Sequence, residues 1–127
     1  MSVIKINDFG DFGNWINNHD KKTSSVKSIK VLSPYFDKQI ATIPDSNSHH
    51  LDEAVNTASD AFLSWSKTNI RDRAQIMSRF KSIIEEDIDI LANIIALDNG
   101  KTIDDALGSI RRGVEVIDFA ISMPNVL

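Results

Sequence analysis

Between Leu97 and Ala120 the sequence LDNGKTIDDALGSIRRGVEVIDFA holds a helix stop, a helix start and a helix that is apolar on two faces. That combination restricts the fold more than any other feature of the chain. Asn99-Gly100 is the stop, because glycine enters the left-handed conformation that closes a helix without a Cβ penalty. Thr102 is placed as the next N-cap, with Asp105 positioned to complete a capping box and to meet the positive end of the helix dipole. Ile103, Ala106, Leu107, Ile110, Val114, Ile117 and Ile121 recur at helical spacing and predict a core face. Arg112 heads a second stripe, continued by Val116, Phe119 and Met123 at the i+3 and i+4 steps that bring side chains together on a helix. A helix apolar on so much of its circumference is normally enclosed by further protein.

The upstream pattern supports this helix with three others. Asp45 to Ser48 is a capping segment, with Asn47 or Ser48 as N-cap. Leu51, Ala54, Val55, Ala58, Ala61, Phe62 and Trp65 then form one stripe, with Asp52, Glu53, Asn56, Ser59 and Asp60 facing water. Thr68-Asn69 caps a helix whose apolar set is Ala74, Ile76, Met77, Phe80, Ile83 and Ile84, and Ile88, Leu91, Ala92, Ile94 and Ile95 mark a third. The expected helices run roughly from Ser48 to Lys67, Asn69 to Glu86, Asp87 to Asn99 and Thr102 to Met123, give or take about two to four residues. Before them, Trp15-Ile16, Val26 to Val31 and Ile40 to Ile43 read as strands, with the polar run Asn17 to Ser25 and a turn at Pro34 to Lys38 between them. The expected fold class is therefore mainly α with a small N-terminal β-hairpin. Residues 1–13 are read as an N-terminal arm, the hairpin lies at about 14–44 and the helices span about 48–123.

Several short motifs invite chemistry that their context denies. DFGDFG at Asp8 to Gly13 contains two copies of the kinase tripeptide, but the Gly-rich loop, the paired lysine and the HRD segment are missing. Gly100-Lys101-Thr102 ends like a P-loop, yet the upstream glycine and the preceding apolar strand are absent. Adjacent His49 and His50 point about 100° apart on a helix and find no further metal ligand, so they read as solvated first-turn residues. Glu85-Glu86-Asp87-Ile88-Asp89 lacks the turn glycine and alternating oxygen ligands of a hard-cation loop. Arg71, Arg73 and Arg79 are expected to pair at the surface with Asp72, Glu85 and Glu86.

At 127 residues the chain has one domain's worth of core, burying roughly two thirds of its unfolded surface. A net charge of −4, with lysines and arginines scattered among acids, argues against a nucleic-acid partner. No run of roughly 20 apolar residues is present for a membrane span, and no tripartite leader opens the sequence, so a soluble cytoplasmic protein is expected. Cysteine is absent, which excludes a disulfide framework and any cysteine-based metal site.

An ordered series of segments resembles the aldehyde dehydrogenases, most closely their methylmalonate-semialdehyde branch. The series is Val31 to Pro34, Ile43-Pro44, AFLSWS at Ala61 to Ser66, RDRA at Arg71 to Ala74, DNGKT at Asp98 to Thr102, and DALGSIRRGVEVIDFA. It covers the chain from about Trp15 onward and matches the opening segment of those α/β enzymes. Two departures stand in the hairpin region: Ile16-Asn17-Asn18 lacks the family's glycine, and Ser33 to Lys38 replaces its usual small-residue turn.

The resemblance implies an NAD-dependent oxidation through a thiohemiacetal on a cysteine, since the carbonyl becomes tetrahedral before it surrenders hydride. This chain has no such cysteine, so no catalytic residue, cofactor-binding residue or bound cofactor is expected for it alone; NAD belongs to the complete enzyme. The resemblance also implies that Arg112 is a substrate-carboxylate clamp, a role suited to the planar, always charged guanidinium fork. The alternative is pairing of Arg112 with Glu115 or another helical acid. Two functions follow: an N-terminal piece of a semialdehyde dehydrogenase that is not catalytic alone, or a non-catalytic helical binding or assembly module derived from that family. The expected partner is the chain itself, as a homodimer or higher oligomer formed through the last helix, or the remainder of the enzyme.

Overall fold

The computed structural model describes residues 9–22 and 26–125. Four short strands and four helices follow in order: β1 Asn14–Ile16, β2 His19–Lys21, β3 Ser28–Ser33, β4 Lys38–Pro44, α1 Ser48–Trp65, α2 Ile70–Glu86, α3 Ile88–Asn99 and α4 Ile103–Ser122, the last running into a 3-10 turn at Met123–Asn125. The fold is mainly α with a small β part in front, and that part is two antiparallel pairs, β1–β2 and β3–β4. The chain divides into two units, one holding the strands and α1, the other holding α2 to α4.

In the first unit the polar run expected to separate strands contains β2. Asn17 and Asn18 both take positive φ, 54° and 59°, the double left-handed step of a two-residue hairpin turn, which asparagine tolerates better than other side chains. This turn pairs Ile16 with His19 and Asn14 with Lys21. All three residues of β2 are exposed, so no apolar alternation announces it. Gly13 precedes the hairpin where an added Cβ would stand 2.3 Å from the Lys21 carbonyl oxygen. Of the expected arm, residues 1–8 lie outside the described residues. Phe12 donates its N–H to the Thr42 carbonyl at 2.9 Å, and the Asp11 carboxylate accepts from the Thr42 hydroxyl.

β3 and β4 are joined through Pro34 to Asp37, with the Asp37 N–H bonded to the Ser33 carbonyl at 2.9 Å. Their register skips Ile40, since Val31 faces Ala41 and Leu32 faces Gln39. This bulge breaks the strict alternation of faces, so Ile40 and Ala41, consecutive in sequence, are both buried.

α1 begins at Asn47, whose side chain accepts from the N–H groups of His49 and His50 while the His50 ring accepts from the Asn47 N–H. His50 is therefore a capping partner and not merely solvated. The helix carries no buried residue. Leu51, Val55, Phe62, Leu63 and Trp65 are exposed, Phe62 at 61% and Leu63 at 66%. Most of the expected core stripe is thus bare, because the strand pairs of this unit are too small to cover five turns of helix. The β1–β2 hairpin reaches α1 through the Lys21–Glu53 ion pair, leaving Ala54 and Thr57 partly covered.

In the second unit α4 packs on both α2 and α3. Ala92 on α3 and Ala106 on α4 are fully buried, small side chains where helix axes approach. Leu107, Ile110, Val114, Ile117 and Ile121 are partly buried, whereas Val116 and Phe119 are 69% and 67% exposed. Met123, expected on the bare stripe, is partly buried, because the chain tightens there into a 3-10 turn that packs against α2.

The expected arginine pairs of α2 do not form among the described residues. Lys81 takes that role, bonding Asp118 of α4 at 2.7 Å and lying 3.7 Å from Glu85. Helical spacing explains the absent arginine pairs and the Lys81–Glu85 contact: Arg71, Arg73 and Arg79 have no acid three or four residues away, whereas Lys81 and Glu85 stand at i and i+4.

Candidate functional site

The first turns of α4 gather Lys101, Asp104, Asp105 and Ser109 around Arg112. Gly100 ends α3 in the left-handed conformation, φ 70°, with its N–H on the Ala96 carbonyl. Thr102 caps α4, its hydroxyl oxygen accepting from the Asp105 N–H at 3.2 Å. The hydroxyl donates in turn to the Asp105 carboxylate at 2.8 Å, so that carboxylate closes the cap on the side chain and not on the backbone N–H of a capping box. The abrupt stop and start leave only Gly100, Lys101 and Thr102 between the two helices, with Lys101 beside the first turns of α4.

Arg112 is exposed, and its Nη2 donates to Ser109 Oγ at 3.0 Å. Lys101 Nζ donates to the same oxygen at 3.3 Å, and Ser109 Oγ donates to the Asp105 carbonyl at 3.0 Å. Lys101, Asp104, Asp105, Gly108, Ser109 and Arg112 line one shallow pocket. Neither Arg111 nor Arg112 forms an ion pair among the described residues, so the alternative pairing with Glu115 is not made. A guanidinium has five N–H donors; Arg112 is exposed and Nη2 bonds Ser109, which leaves donors able to grip a carboxylate in a planar, two-point bond.

Sequence reasoning singled out Arg112 but missed Lys101 and Ser109. Ser109 was legible as an i, i+3 neighbour of Arg112; Lys101 was not, since its approach depends on the chain path around Gly100. The other motifs stay apart from this cluster. His49 and His50 stack edge to face with ring centroids 5.9 Å apart. Among the described residues no group of three or more His, Asp or Glu is arranged to hold a metal ion, and no helix is long and apolar enough to cross a membrane.

The described residues do not fit a nicotinamide dinucleotide. Such a site needs parallel strands and a glycine-rich turn opening onto a helix N-terminus free to meet the pyrophosphate. Here both strand pairs are antiparallel, the starts of α1, α2 and α4 are already met by the side chains of Asn47, Asn69 and Thr102, and α3, which has no side-chain cap, opens from the acidic run Glu85-Glu86-Asp87 and not from a glycine-rich turn.

Residues 21–127 match the sequence profile of the aldehyde dehydrogenase family, and the chain belongs to that family. It is 33% identical over 115 residues to malonate-semialdehyde dehydrogenase 2 of Geobacillus kaustophilus, a match spanning 91% of this chain and 23% of the relative. Among solved structures, a protein of Sinorhizobium meliloti assigned as methylmalonate-semialdehyde dehydrogenase and complexed with NAD superposes with a TM-score of 0.85 at 30% identity, over 91% of this chain and 23% of that one. The methylmalonate-semialdehyde dehydrogenase of Oceanimonas doudoroffii gives a TM-score of 0.83 at 28% identity, over 88% and 23%. The chain thus spans about a quarter of the length of the relatives it matches.

Proposed function

We propose that this chain is the N-terminal segment of an NAD-dependent semialdehyde dehydrogenase of the methylmalonate or malonate type, and that it performs no oxidation by itself. The observation that carries the reading is the match of 91% of the chain to 23% of such a relative, in a sequence without cysteine. Residues 14–127 are the opening part of the cofactor domain and residues 1–13 an arm before it. Within the complete enzyme the nucleophile and the nicotinamide site come from the remaining three quarters, and this segment contributes Arg112 as the clamp for the substrate's carboxylate. Support for that role comes from its exposed guanidinium and, among the described residues, the absence of a protein acid on it. By itself the segment pairs with a second copy through Val116 and Phe119 of α4, which are two-thirds exposed and favour mutual burial.

The test supplies the segment in trans. A malonate-semialdehyde dehydrogenase lacking its matching quarter is mixed with this chain, and NADH formation from malonate semialdehyde is followed. Turnover is expected for the mixture and for neither part alone. Arg112→Gln should raise KM for the acidic aldehyde far more than for an uncharged aldehyde of the same length. Aldehyde oxidation by the purified chain alone, or failure of the two parts to associate, would overturn the proposal.

A further inference from the structure

We infer that Lys101 is a second cation of the Arg112 site, and that Lys101 and Arg112, joined through Ser109 Oγ, grip the carboxylate of a short-chain acid from two sides. The inference rests on the reading of Arg112 as a carboxylate clamp and extends it to a residue that neither the motif nor the helical spacing identifies.

The juxtaposition is the reason. Bonds of 3.3 and 3.0 Å end on one oxygen atom, so Lys101 Nζ and Arg112 Nη2 are at most 6.3 Å apart. Like charges so close repel, and here no carboxylate lies within 4.0 Å of either nitrogen among the described residues. What they share is a neutral hydroxyl. Its one proton is already committed to the Asp105 carbonyl and its two lone pairs to the two cations, so Ser109 fixes their separation without neutralising either. Lys101 keeps two of its three N–H donors and Arg112 most of its five. A carboxylate between them would take a point charge from one side and a planar fork from the other. Of the two acids lining the same pocket, Asp105 is engaged by the Thr102 hydroxyl. Asp104 has no such bond among the described residues and opposes an incoming anion.

The experiment titrates the whole chain with malonate, following backbone amide shifts of Lys101 to Arg112 by NMR. Monomethyl malonate serves as monoanion and malonamide as the uncharged control. Malonate should bind more tightly than the monoester, and malonamide should not titrate. Lys101→Gln and Arg112→Gln should each weaken malonate binding by about five-fold, the upper end for an exposed ion pair. Lys101→Arg should restore it, Asp104→Asn should tighten it, and added salt should weaken it. Because both cations are exposed, these variants keep the wild-type spectrum elsewhere. An unchanged affinity in Lys101→Gln, equal shifts with malonamide, or no titration by malonate would overturn the inference. Arg112→Gln weakening malonate while Lys101→Gln does not would remove Lys101 alone and leave the Arg112 reading in place.

Discussion

Replacing Phe119 by Asp tests the reasoning that α4 carries a contact surface. Phe119 is 67% and Val116 69% exposed, so about two thirds of each side chain remains to be covered. Complete burial of a side chain of this kind contributes about 1.5 to 3 kcal/mol, which leaves about 1 to 2 kcal/mol for each to gain at an interface. In a two-fold dimer every contact residue occurs twice, so the two copies of Phe119 supply about 2 to 4 kcal/mol of association, or about 30- to 1000-fold in Kd. An aspartate in that place adds the desolvation of a charge to the loss. Sedimentation velocity at micromolar concentration should show the wild-type chain self-associated and Phe119→Asp as monomer. Circular dichroism should stay the same for both, because Phe119 lies outside the packed face of α4. Leu63→Asp, at a side chain 66% exposed on α1, is the control. A wild type that sediments as a monomer refutes the contact surface, and a dimer dissociated by Leu63→Asp but not by Phe119→Asp shows that the contact has been placed on the wrong helix.

Two further outcomes follow from local structure. Asn47→Ala removes the side-chain acceptor for the His49 and His50 N–H groups, and should destabilise the strand-bearing unit by about 1 kcal/mol, read as a lower thermal midpoint for α1. In the pH profile, the Lys21 hydrogen bond and charge, aided by His49 and His50, outweigh desolvation and hold the Glu53 carboxyl below its ordinary 4.5, so its contribution is present above 4.5 and fades as pH falls through the lower folded value. Lys81 is raised above 10.5, chiefly by its bond to Asp118; its contribution is complete below 10.5 and is lost as pH rises through the higher folded value. Denaturation titrations should therefore show acid and alkaline limbs, the alkaline one shrinking in Asp118→Asn, where Glu85 alone still faces Lys81.

The helix starts were legible because their signals are local. Asn47, Asn69 and Thr102 satisfy backbone N–H groups within three residues of themselves, and Gly100 closes α3 by its own φ. The two-faced character of α4 was legible for the same reason, since residues three and four apart share a face whatever surrounds the helix. The sequence also set a chemical boundary: without cysteine no thiohemiacetal can form on this chain. Tertiary structure decided what depends on neighbours. The β2 strand exists because Asn17 and Asn18 turn the backbone onto β1, not because its exposed His19, Asp20 and Lys21 bury anything. Lys81 found Asp118 across two packed helices, 37 positions away, a pairing that no helical spacing within α2 encodes. The stripe of α1 promised a core, yet periodicity records only that apolar residues share a face; whether that face is covered depends on how much protein the fold brings against it. Lys101 joined Ser109 and Arg112 through the path of the backbone around Gly100, and that path, not the identity of any one residue, is what places two cations on one oxygen.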